Sequence, residues 1–283
     1  MNQEEKTEIQ ALRNYLRASK ARKETPARDA AQIGNLLHEV YDYMAQQSAT
    51  REHAVKFKCG LMAVDEVVEG LRPGELVAIG GYTGGGQTAL ALHYAIQVAK
   101  DTKKPVWIYS QTHSAHQITK RLMSMLTGIS ITSIEEAQLA DKQWNLLSMA
   151  TSWLKDQDMR VFDLTTDVER LCNSLYGNEE IGLLIIDGAP EYDLEPAVMQ
   201  EMSRIAKEKQ ICILFNGPHL VTAPYVEGKV DKVLWVTHLD EDEYSFELLW
   251  TRHGKLGRST LYWNDNCVSF MDEPLYDEDE INE

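Results

Sequence analysis

The chain has 283 residues, a formal net charge of −16 and a hydrophobic content of 43%, enough to bury the core of one large α/β domain with an appendage. No run of about eighteen apolar residues is present, so we expect no membrane span, and the polar residues 1–5 do not match a signal peptide. The acidic excess lies outside residues 1–56, which hold nine Lys or Arg and eight Asp or Glu, and an acidic body argues against DNA binding, which depends on positive charge.

The cysteines give a first indication of compartment. Cys59, Cys172, Cys212 and Cys267 are scattered, and their spacing matches neither a disulfide framework nor a metal site. Thiols of this kind are typical of proteins kept in a reducing environment. We therefore expect a cytoplasmic protein.

Residues 1–56 are predicted to form a helical arm and a linker helix. The basic run from Arg13 to Lys23 contains no acid, and a solvated, partly disordered arm is favoured over a nucleic-acid arm. After Thr25-Pro26, a helix is predicted over about 27–47, because apolar residues recur there at helical spacing. The stripe comprises Ile33, Leu36, Leu37, Val40, Tyr41 and Met44. This apolar face needs a partner, either its own domain or a neighbouring subunit.

A glycine-rich stretch dominates the sequence. Gly80 to Thr88 follows the apolar run 75–79 and precedes a helical pattern over 87–100, which is the context of a phosphate-binding loop. Gly81, Gly86 and Thr88 fit the pattern G-x-x-x-x-G-K-[ST], but Gln87 stands where the pattern has Lys. A glycine-rich turn without a ligand is the alternative, and the ordered spacing favours descent from a nucleotide-binding loop.

Such a loop binds ATP and Mg²⁺ through particular groups. Backbone N–H groups at Gly81, Gly84, Gly85 and Gly86 would surround phosphate oxygens, and the following helix adds its positive end. The Lys of the pattern supplies a full charge, whereas Gln87 carries none. We therefore predict that ATP binding is weak or lost.

A second acidic candidate follows an apolar strand. Asp187 ends the run 181–186 and, with Thr88, would hold Mg²⁺ if nucleotide binds. An acid at the carboxyl edge of an α/β sheet is also common without that role. His113 belongs to no metal-ligand spacing, and we expect it to have a surface or packing role.

The remaining pattern alternates strands with helices, which predicts an α/β domain. Strands are predicted at 75–80, 105–110, 159–163, 181–187, 210–216, 231–238, 245–252 and 259–263. Helices are predicted at 87–100, 114–127, 132–136, 140–156, 166–175 and 196–209. Continuous apolar strands favour a mainly parallel central sheet flanked by helices, and the alternating last strands favour an antiparallel C-terminal edge. Residues 271–283 carry seven acids and no base, which predicts a disordered acidic tail.

Over residues 57–270 the chain resembles the C-terminal, RecA-like P-loop motor domain of DnaB-type replicative helicases. The segments that carry the resemblance are Phe57–Asp65, Gly70–Leu76, Val106–Ser114, Gln117–Arg121, Leu183–Asp187, Ile205–Asn216 and Leu249–Gly257. Their order and spacing make the resemblance specific. It implies a RecA-like fold with an N-terminal helical extension, an ATP site and assembly with further subunits.

The departures from the family pattern lie at the positions that bind and hydrolyse ATP in the family. The phosphate-loop Lys falls on Gln87, and the catalytic Glu that activates water falls on Thr112, which has no basic group to accept a proton. The family strand before this helix ends in Ser-Leu-Glu-Met-Ser, whereas this chain has Ser110-Gln-Thr-His-Ser. Thr88 and Asp187, on the Mg²⁺ side, match the family.

The sensor and finger positions depart as well. In the family, one strand ends in a polar sensor residue, a Gln, and a Lys-x-Arg finger enters a neighbouring subunit's site. The sensor Gln falls on Asn216 or Gly217 of this chain. The finger Lys falls on Trp250, while the finger Arg remains as Arg252. The loops at 188–195 and 216–224 correspond to the family's loops that line the central channel of the hexamer and contact DNA phosphates. In this chain they contain no Lys or Arg. We expect acidic or neutral loops to bind DNA poorly.

The sequence therefore favours a degenerate homologue of the helicase motor, without useful ATP hydrolysis. Its role would be that of a structural or regulatory assembly partner in DNA replication or related DNA metabolism, joined to its own copies or to a helicase-like protein. One alternative is an active ATP-dependent helicase that takes Lys255, Arg258 or Arg252 from a neighbouring subunit. The other is a module that binds nucleotide without turnover.

Overall fold

One mixed sheet organises the protein. The computed structural model describes residues 56–162, 180–188, 196–217 and 229–274, together with 175 and, in the N-terminal arm, 33, 37–38, 40–42 and 44–45. In this part of the chain the strands are β1 (Leu76–Gly81), β2 (Val106–Ser110), β3 (Met159–Phe162), β4 (Leu183–Asp187), β5 (Cys212–Asn216), β6 (Lys232–Asp240), β7 (Glu243–Thr251), β8 (Gly257–Asn264) and β9 (Ser269–Met271). Their order in the sheet is β3-β2-β4-β5-β1-β6-β7-β8-β9.

The strands from β3 to β6 are parallel, and the strands from β6 to β9 pair antiparallel. All residues of β1, β2 and β5 are buried, as expected for parallel strands covered on both faces. Alternate residues serve the two faces: Val77 and Ile79 belong to one core cluster, and Leu76 and Ala78 to the other. The predicted α/β class, with a mainly parallel sheet and an antiparallel C-terminal edge, is confirmed.

Helices flank the sheet. They are α1 (Met62–Val68), α2 (Gln87–Thr102), α3 (Ala115–Thr127), α4 (Ile131–Glu136), α5 (Asp141–Lys155) and α6 (Pro196–Lys209). Buried residues of α2 and α3 pack in the first cluster, and buried residues of α6 pack in the second. None of these described helices is long and apolar enough to span a membrane.

Local sequence explains where α3 begins. Ser114 accepts a hydrogen bond from Gln117 N, and the Gln117 side chain accepts one from Ser114 N, which is a capping box. The short loop before it, 111–113, therefore leads from the end of β2 into α3 with a fixed geometry. This loop borders the site.

Helix α1 depends on a distant residue. Asp272 follows β9, and its carboxylate accepts hydrogen bonds from Met62 N at 2.9 Å and Ala63 N at 2.8 Å. The bonds satisfy backbone donors at a helix N-terminus that its own N-cap, Leu61, cannot serve. Asp272 thus belongs structurally to the sheet domain, although the sequence groups it with the acidic tail.

The predicted elements agree with the structure wherever it describes them, apart from one or two residues at some ends. Two elements are absent from the predictions, α1 and β9. At 33, 37–38, 40–42 and 44–45 the arm is helical. The basic run 13–23, most of the predicted helix 166–175, and residues 189–195, 218–224 and 275–283 lie outside the described residues.

Candidate functional site

The site candidates meet where four parallel strands end. Ser110 ends β2, Asp187 ends β4 and Asn216 ends β5, and these strands lie beside one another and beside β1, from which the glycine loop leaves. In open α/β sheets, ligands bind at this carboxyl edge. The fold therefore gathers residues that are about 30 to 100 positions apart in sequence.

The glycine loop has the conformation that its glycines permit. Gly84 and Gly86 have φ angles of +82° and +83°, values that residues with a Cβ seldom adopt. A Cβ on Gly86 would also collide with the ring of Phe270, which packs against the loop from β9. Helix α2 starts at the next residue, so its positive end faces the loop.

Gln87 lies back across this loop. Its Nε2 donates a hydrogen bond of 2.9 Å to Tyr82 O, and a Cβ built on Gly81 would lie 2.7 Å from the same nitrogen. The residue is 9% exposed. The neutral carboxamide is thus tied to the loop backbone, and position 87 supplies no positive charge.

Asp187 is the centre of the site. Its Oδ1 accepts hydrogen bonds from Thr88 Oγ1 at 2.6 Å and from Asn216 Nδ2 at 2.8 Å. Asn216 Oδ1 in turn accepts from Gly188 N at 2.7 Å. Thr88, Asp187 and Asn216, which were predicted as site candidates, are therefore in direct contact.

The second carboxylate oxygen of Asp187 has three further neighbours. Its Oδ2 accepts from Ser110 Oγ at 2.6 Å and from Thr112 Oγ1 at 3.0 Å. His113 Nδ1 lies 3.1 Å from the same oxygen and 2.8 Å from Thr112 Oγ1. Ser110 also accepts from His113 N at 2.9 Å, so the loop after β2 folds around the carboxylate.

These contacts determine the charge of the centre. Burial would raise the pKa of Asp187, but hydrogen bonds from His113, Ser110, Thr88 and Asn216 outweigh it and hold the pKa well below its usual range. Asp187 is therefore an ionised carboxylate, although it is only 1% exposed. Burial lowers the pKa of the Arg121 guanidinium on α3, and the negative charge of Asp187 opposes that shift.

Thr112 occupies the position of the expected general base. Its hydroxyl donates to Asp187, and its methyl group packs so closely on Gly188, which has a φ of +86°, that a Cβ there would collide with it. A hydroxyl with an ordinary alcohol's acidity cannot take a proton from water at neutral pH. Thr112 is thus placed in the site but cannot perform that step.

Arg252 is not brought to the other candidates. Its Nε lies 2.7 Å from Asp231 Oδ1, and its N donates to Asp231 O at 2.9 Å. Asp231 immediately precedes β6, whose Lys232 pairs with Val77 at the start of β1. The glycine loop leaves the other end of β1, about 15 Å away along the strand, so Arg252 lies at the opposite edge of the sheet.

The residues at the centre do not fit a divalent cation held by the protein alone. Mg²⁺ requires six oxygen ligands in near-octahedral geometry, whereas both oxygens of Asp187 are occupied by hydrogen bonds. Within the described ranges, no group of three or more His, Cys, Asp or Glu could hold a metal ion. The predicted Mg²⁺ role of Thr88 and Asp187 stays a prediction that requires phosphate oxygens.

Two contacts of Asp187 were missed from the sequence. Ser110 was not among the predicted site residues, and His113, for which a surface or packing role was expected, has its ring Nδ1 3.1 Å from Asp187 Oδ2. The register between β2 and β4, which aligns Ser110 with Asp187, brings them there. The only signal in the sequence was that Ser110 ends a buried strand and His113 lies in the short loop after it.

Comparisons with known proteins show one family. The model of the family described as "DnaB-like helicase C terminal domain" matches residues 57–214. The replicative DNA helicase DnaB of Treponema pallidum is 23% identical over 268 residues, which cover 84% of this chain and 61% of that protein. The replicative DNA helicase DnaC of Bacillus subtilis is 23% identical over 197 residues, covering 64% and 43%. The chain thus matches less than two thirds of the length of either relative.

Two solved structures share the fold. One is described as an ATPase domain and matches with a TM-score of 0.70 and 16% identity, over 87% of this chain and all of that one. A DnaB-like replicative helicase, described with its interactions with primase, matches with a TM-score of 0.66 and 16% identity, over 88% and 68%. The predicted RecA-like fold of a helicase motor domain is confirmed.

Proposed function

We propose that this chain, which belongs to the DnaB-like helicase C-terminal domain family, acts as a structural or regulatory assembly partner in DNA replication or related DNA metabolism. It does so without useful ATP hydrolysis. The observation that carries the proposal is the hydrogen bond from Thr112 to Asp187. The position that should activate water is occupied by a side chain that donates a hydrogen bond instead of accepting a proton.

The glycine loop supports the same proposal. Gln87 lies across the loop and donates to Tyr82 O, so the γ-phosphate of ATP would meet no full charge from position 87. Losing a charged phosphate ligand and losing a general base each cost about 10²-fold or more in rate. Together they leave turnover far below that of a motor.

The test is steady-state turnover of Mg-ATP by the purified full chain, with and without single-stranded DNA. We expect no turnover above that of the Asp187→Ala variant, which removes the centre of the site. Turnover that depends on Asp187 and rises with DNA would overturn the proposal. The double variant Gln87→Lys/Thr112→Glu is the positive comparison, because it restores the phosphate-loop Lys and the catalytic Glu of the family pattern.

A second candidate is a module that holds nucleotide without turnover. It is favoured by the glycine loop, whose Gly84 and Gly86 keep left-handed conformations, and by Thr88 at the start of α2. Here Thr88, Asp187 and the backbone at Gly81, Gly84, Gly85 and Gly86 would hold Mg-ATP, with phosphate oxygens supplying most of the cation's ligands. Equilibrium binding of a non-hydrolysable ATP analogue separates this role from the first.

The third candidate is an active ATPase completed by a neighbouring subunit. Arg252 and Lys255 lie in the connection between β7 and β8, at the end of the sheet opposite the chain's own glycine loop, and Arg258 lies on β8, level with Gly80 but three strands away from β1. A second copy or a related subunit would have to place Arg252 and Lys255 at this site. Turnover whose specific rate rises with protein concentration would favour this candidate.

A further inference from the structure

The Asp187 carboxylate joins elements that are far apart in sequence. Thr88 belongs to α2, Ser110 to the end of β2, Thr112 and His113 to the loop that leads into α3, and Asn216 to the end of β5. Each lies within 3.1 Å of a carboxylate oxygen. One buried side chain thereby connects the phosphate loop's helix with three neighbouring strands.

The network is closed by its outer contacts. Asp187 O accepts from Gln111 N at 2.8 Å, and Asn216 Oδ1 accepts from Gly188 N, so both polar groups of the peptide bond that follows Asp187 are also held. A buried network whose members are all satisfied is rigid, and removing one member leaves donors without partners. An ionised acceptor makes each of these bonds stronger than a neutral one.

We propose that the Asp187 centre is a structural keystone, a closed hydrogen-bond network that serves in place of a bound divalent cation. The loop residues Thr112 and His113 supply two of its contacts, and an ionised carboxylate at position 112 could not donate the hydrogen bond that Thr112 makes. The inference rests on the proposed function, since a chain without turnover needs no cation at this carboxylate. It goes further than the proposed function, because it gives the Asp187 centre a role in the stability of the folded protein.

The first test measures thermal stability after removing the carboxylate. Acids kept for catalysis generally cost stability, so that their removal leaves the melting temperature unchanged or raises it. For a keystone, Asp187→Ala should lower the melting temperature by about 5–10 °C, and Asp187→Asn by less. Asp156→Asn, at an exposed carboxylate, is the matched control and should leave it unchanged.

The second test places a like charge in the network. Thr112→Glu puts a carboxylate against Asp187, whereas Thr112→Gln has the same shape without the charge. In EDTA, Thr112→Glu should melt several degrees below Thr112→Gln. Millimolar MgCl₂ should restore part of that difference, because two carboxylates attract a cation that one hydrogen-bonded carboxylate does not. Wild type should melt at the same temperature in EDTA and MgCl₂, with NaCl used to match ionic strength.

Two results would overturn the keystone. One is an unchanged or raised melting temperature for Asp187→Ala. The other is a rise in the wild-type melting temperature with MgCl₂ that is absent from Asp187→Asn, because it would show that the carboxylate holds a cation. Neither measurement involves ATP, so a failure here is distinct from the turnover that would overturn the proposed function.

Discussion

Gln87 Nε2 and Tyr82 O form a 2.9 Å hydrogen bond that spans the glycine loop. The side chain at the position of the phosphate-binding lysine is therefore engaged by the loop's own backbone. A ligand phosphate would have to displace a neutral amide that is already satisfied, and would gain no charge by doing so. This relationship leads to the first prediction.

Wild-type protein should bind Mg-ATP weakly, and Gln87→Lys should bind it about 10- to 100-fold more tightly. The gain corresponds to about 1.5–3 kcal/mol for a hydrogen bond to a charged group. Isothermal titration calorimetry on both proteins measures it. Hydrolysis should remain absent from Gln87→Lys, because Thr112 still cannot activate water.

Gln87→Met is the matched control for this measurement. It has a similar length and no hydrogen-bonding group, so it removes the bond to Tyr82 without adding charge. Its affinity should stay close to that of wild type. A wild-type dissociation constant in the micromolar range or tighter would contradict the prediction.

The sequence was sufficient for the parallel strands and for the residues that end them. Each buried strand is a short apolar run beside a turn signal, so Asp187 and Asn216 could be placed at a carboxyl edge. Helix α1 could not be predicted with the same means. It has seven residues, and its N-terminal donors are satisfied by Asp272, which lies 209 and 210 positions from the residues it caps. Local sequence contains no trace of such a contact.

The residues of the site also differ in how far they could be predicted from the sequence. Gly81, Gly86 and Thr88 follow one another closely, and their pattern is readable along the chain. The contacts of Ser110 and His113 with Asp187 depend on β2 lying beside β4, although several helices, β3 and further connecting residues separate them in sequence. Strand order is a property of the whole sheet, which a motif does not encode.

Lowering the pH should destabilise the protein through His93. The residue lies on α2 with its Nε2 2.9 Å from Ser269 Oγ of β9, and burial lowers its pKa from 6.5 to about 4. The unfolded chain therefore binds a proton more readily, so this contribution is complete above pH 6.5 and is lost as the pH falls towards 4. A fully buried ring would lose about 3 kcal/mol, and we expect less because His93 keeps some solvent contact.

The measurement is urea unfolding of wild type and His93→Gln at a series of pH values from neutral to 4.5. Gln keeps polar groups in place but does not titrate, so its free energy of unfolding should fall less steeply below pH 6.5. Other acids, including Asp187, affect both proteins equally. Parallel curves for the two proteins would show that His93 does not contribute.

The domain at 57–270 should not bind single-stranded DNA in a salt-sensitive manner. The sequence between Gly188 and Glu195 has three acids and no base, and the stretch from Asn216 to Pro224 has no Lys or Arg. The affinity of a protein for DNA phosphates falls more steeply with salt when more Lys and Arg side chains contact those phosphates. The full chain with Arg13, Arg17, Lys20, Arg22 and Lys23 changed to Gln should therefore show no affinity that falls with salt.

Fluorescence anisotropy of a labelled oligonucleotide at low and high NaCl measures this. The wild-type chain is the comparison, and any salt-dependent affinity that it shows should disappear in the neutralised variant. A steep decrease with salt in that variant would place a DNA-binding surface in the domain and revive the helicase alternative.

The N-terminal helix should mediate association. The apolar stripe is exposed in the isolated chain at each of its described positions, with Ile33 76%, Leu37 50%, Val40 52%, Tyr41 67% and Met44 57% exposed. Apolar surface is unfavourable in water by about 25 cal/mol per Å², and contiguous patches of this kind mark interaction sites. We expect the stripe to be covered by a second copy of the chain or by a related subunit.

Light scattering at tens of micromolar tests the second-copy form of this prediction. Wild type should have a mass above that of the 32.1 kDa chain, and Leu37→Asp should return it to the monomer, because a buried carboxylate without a partner is costly. Asp42→Asn changes the charge by one unit in the opposite direction, about 140° around the helix from Leu37, and the mass should stay that of wild type. A wild-type monomer whose mass does not respond to Leu37→Asp would show that copies of the chain do not use this helix to associate.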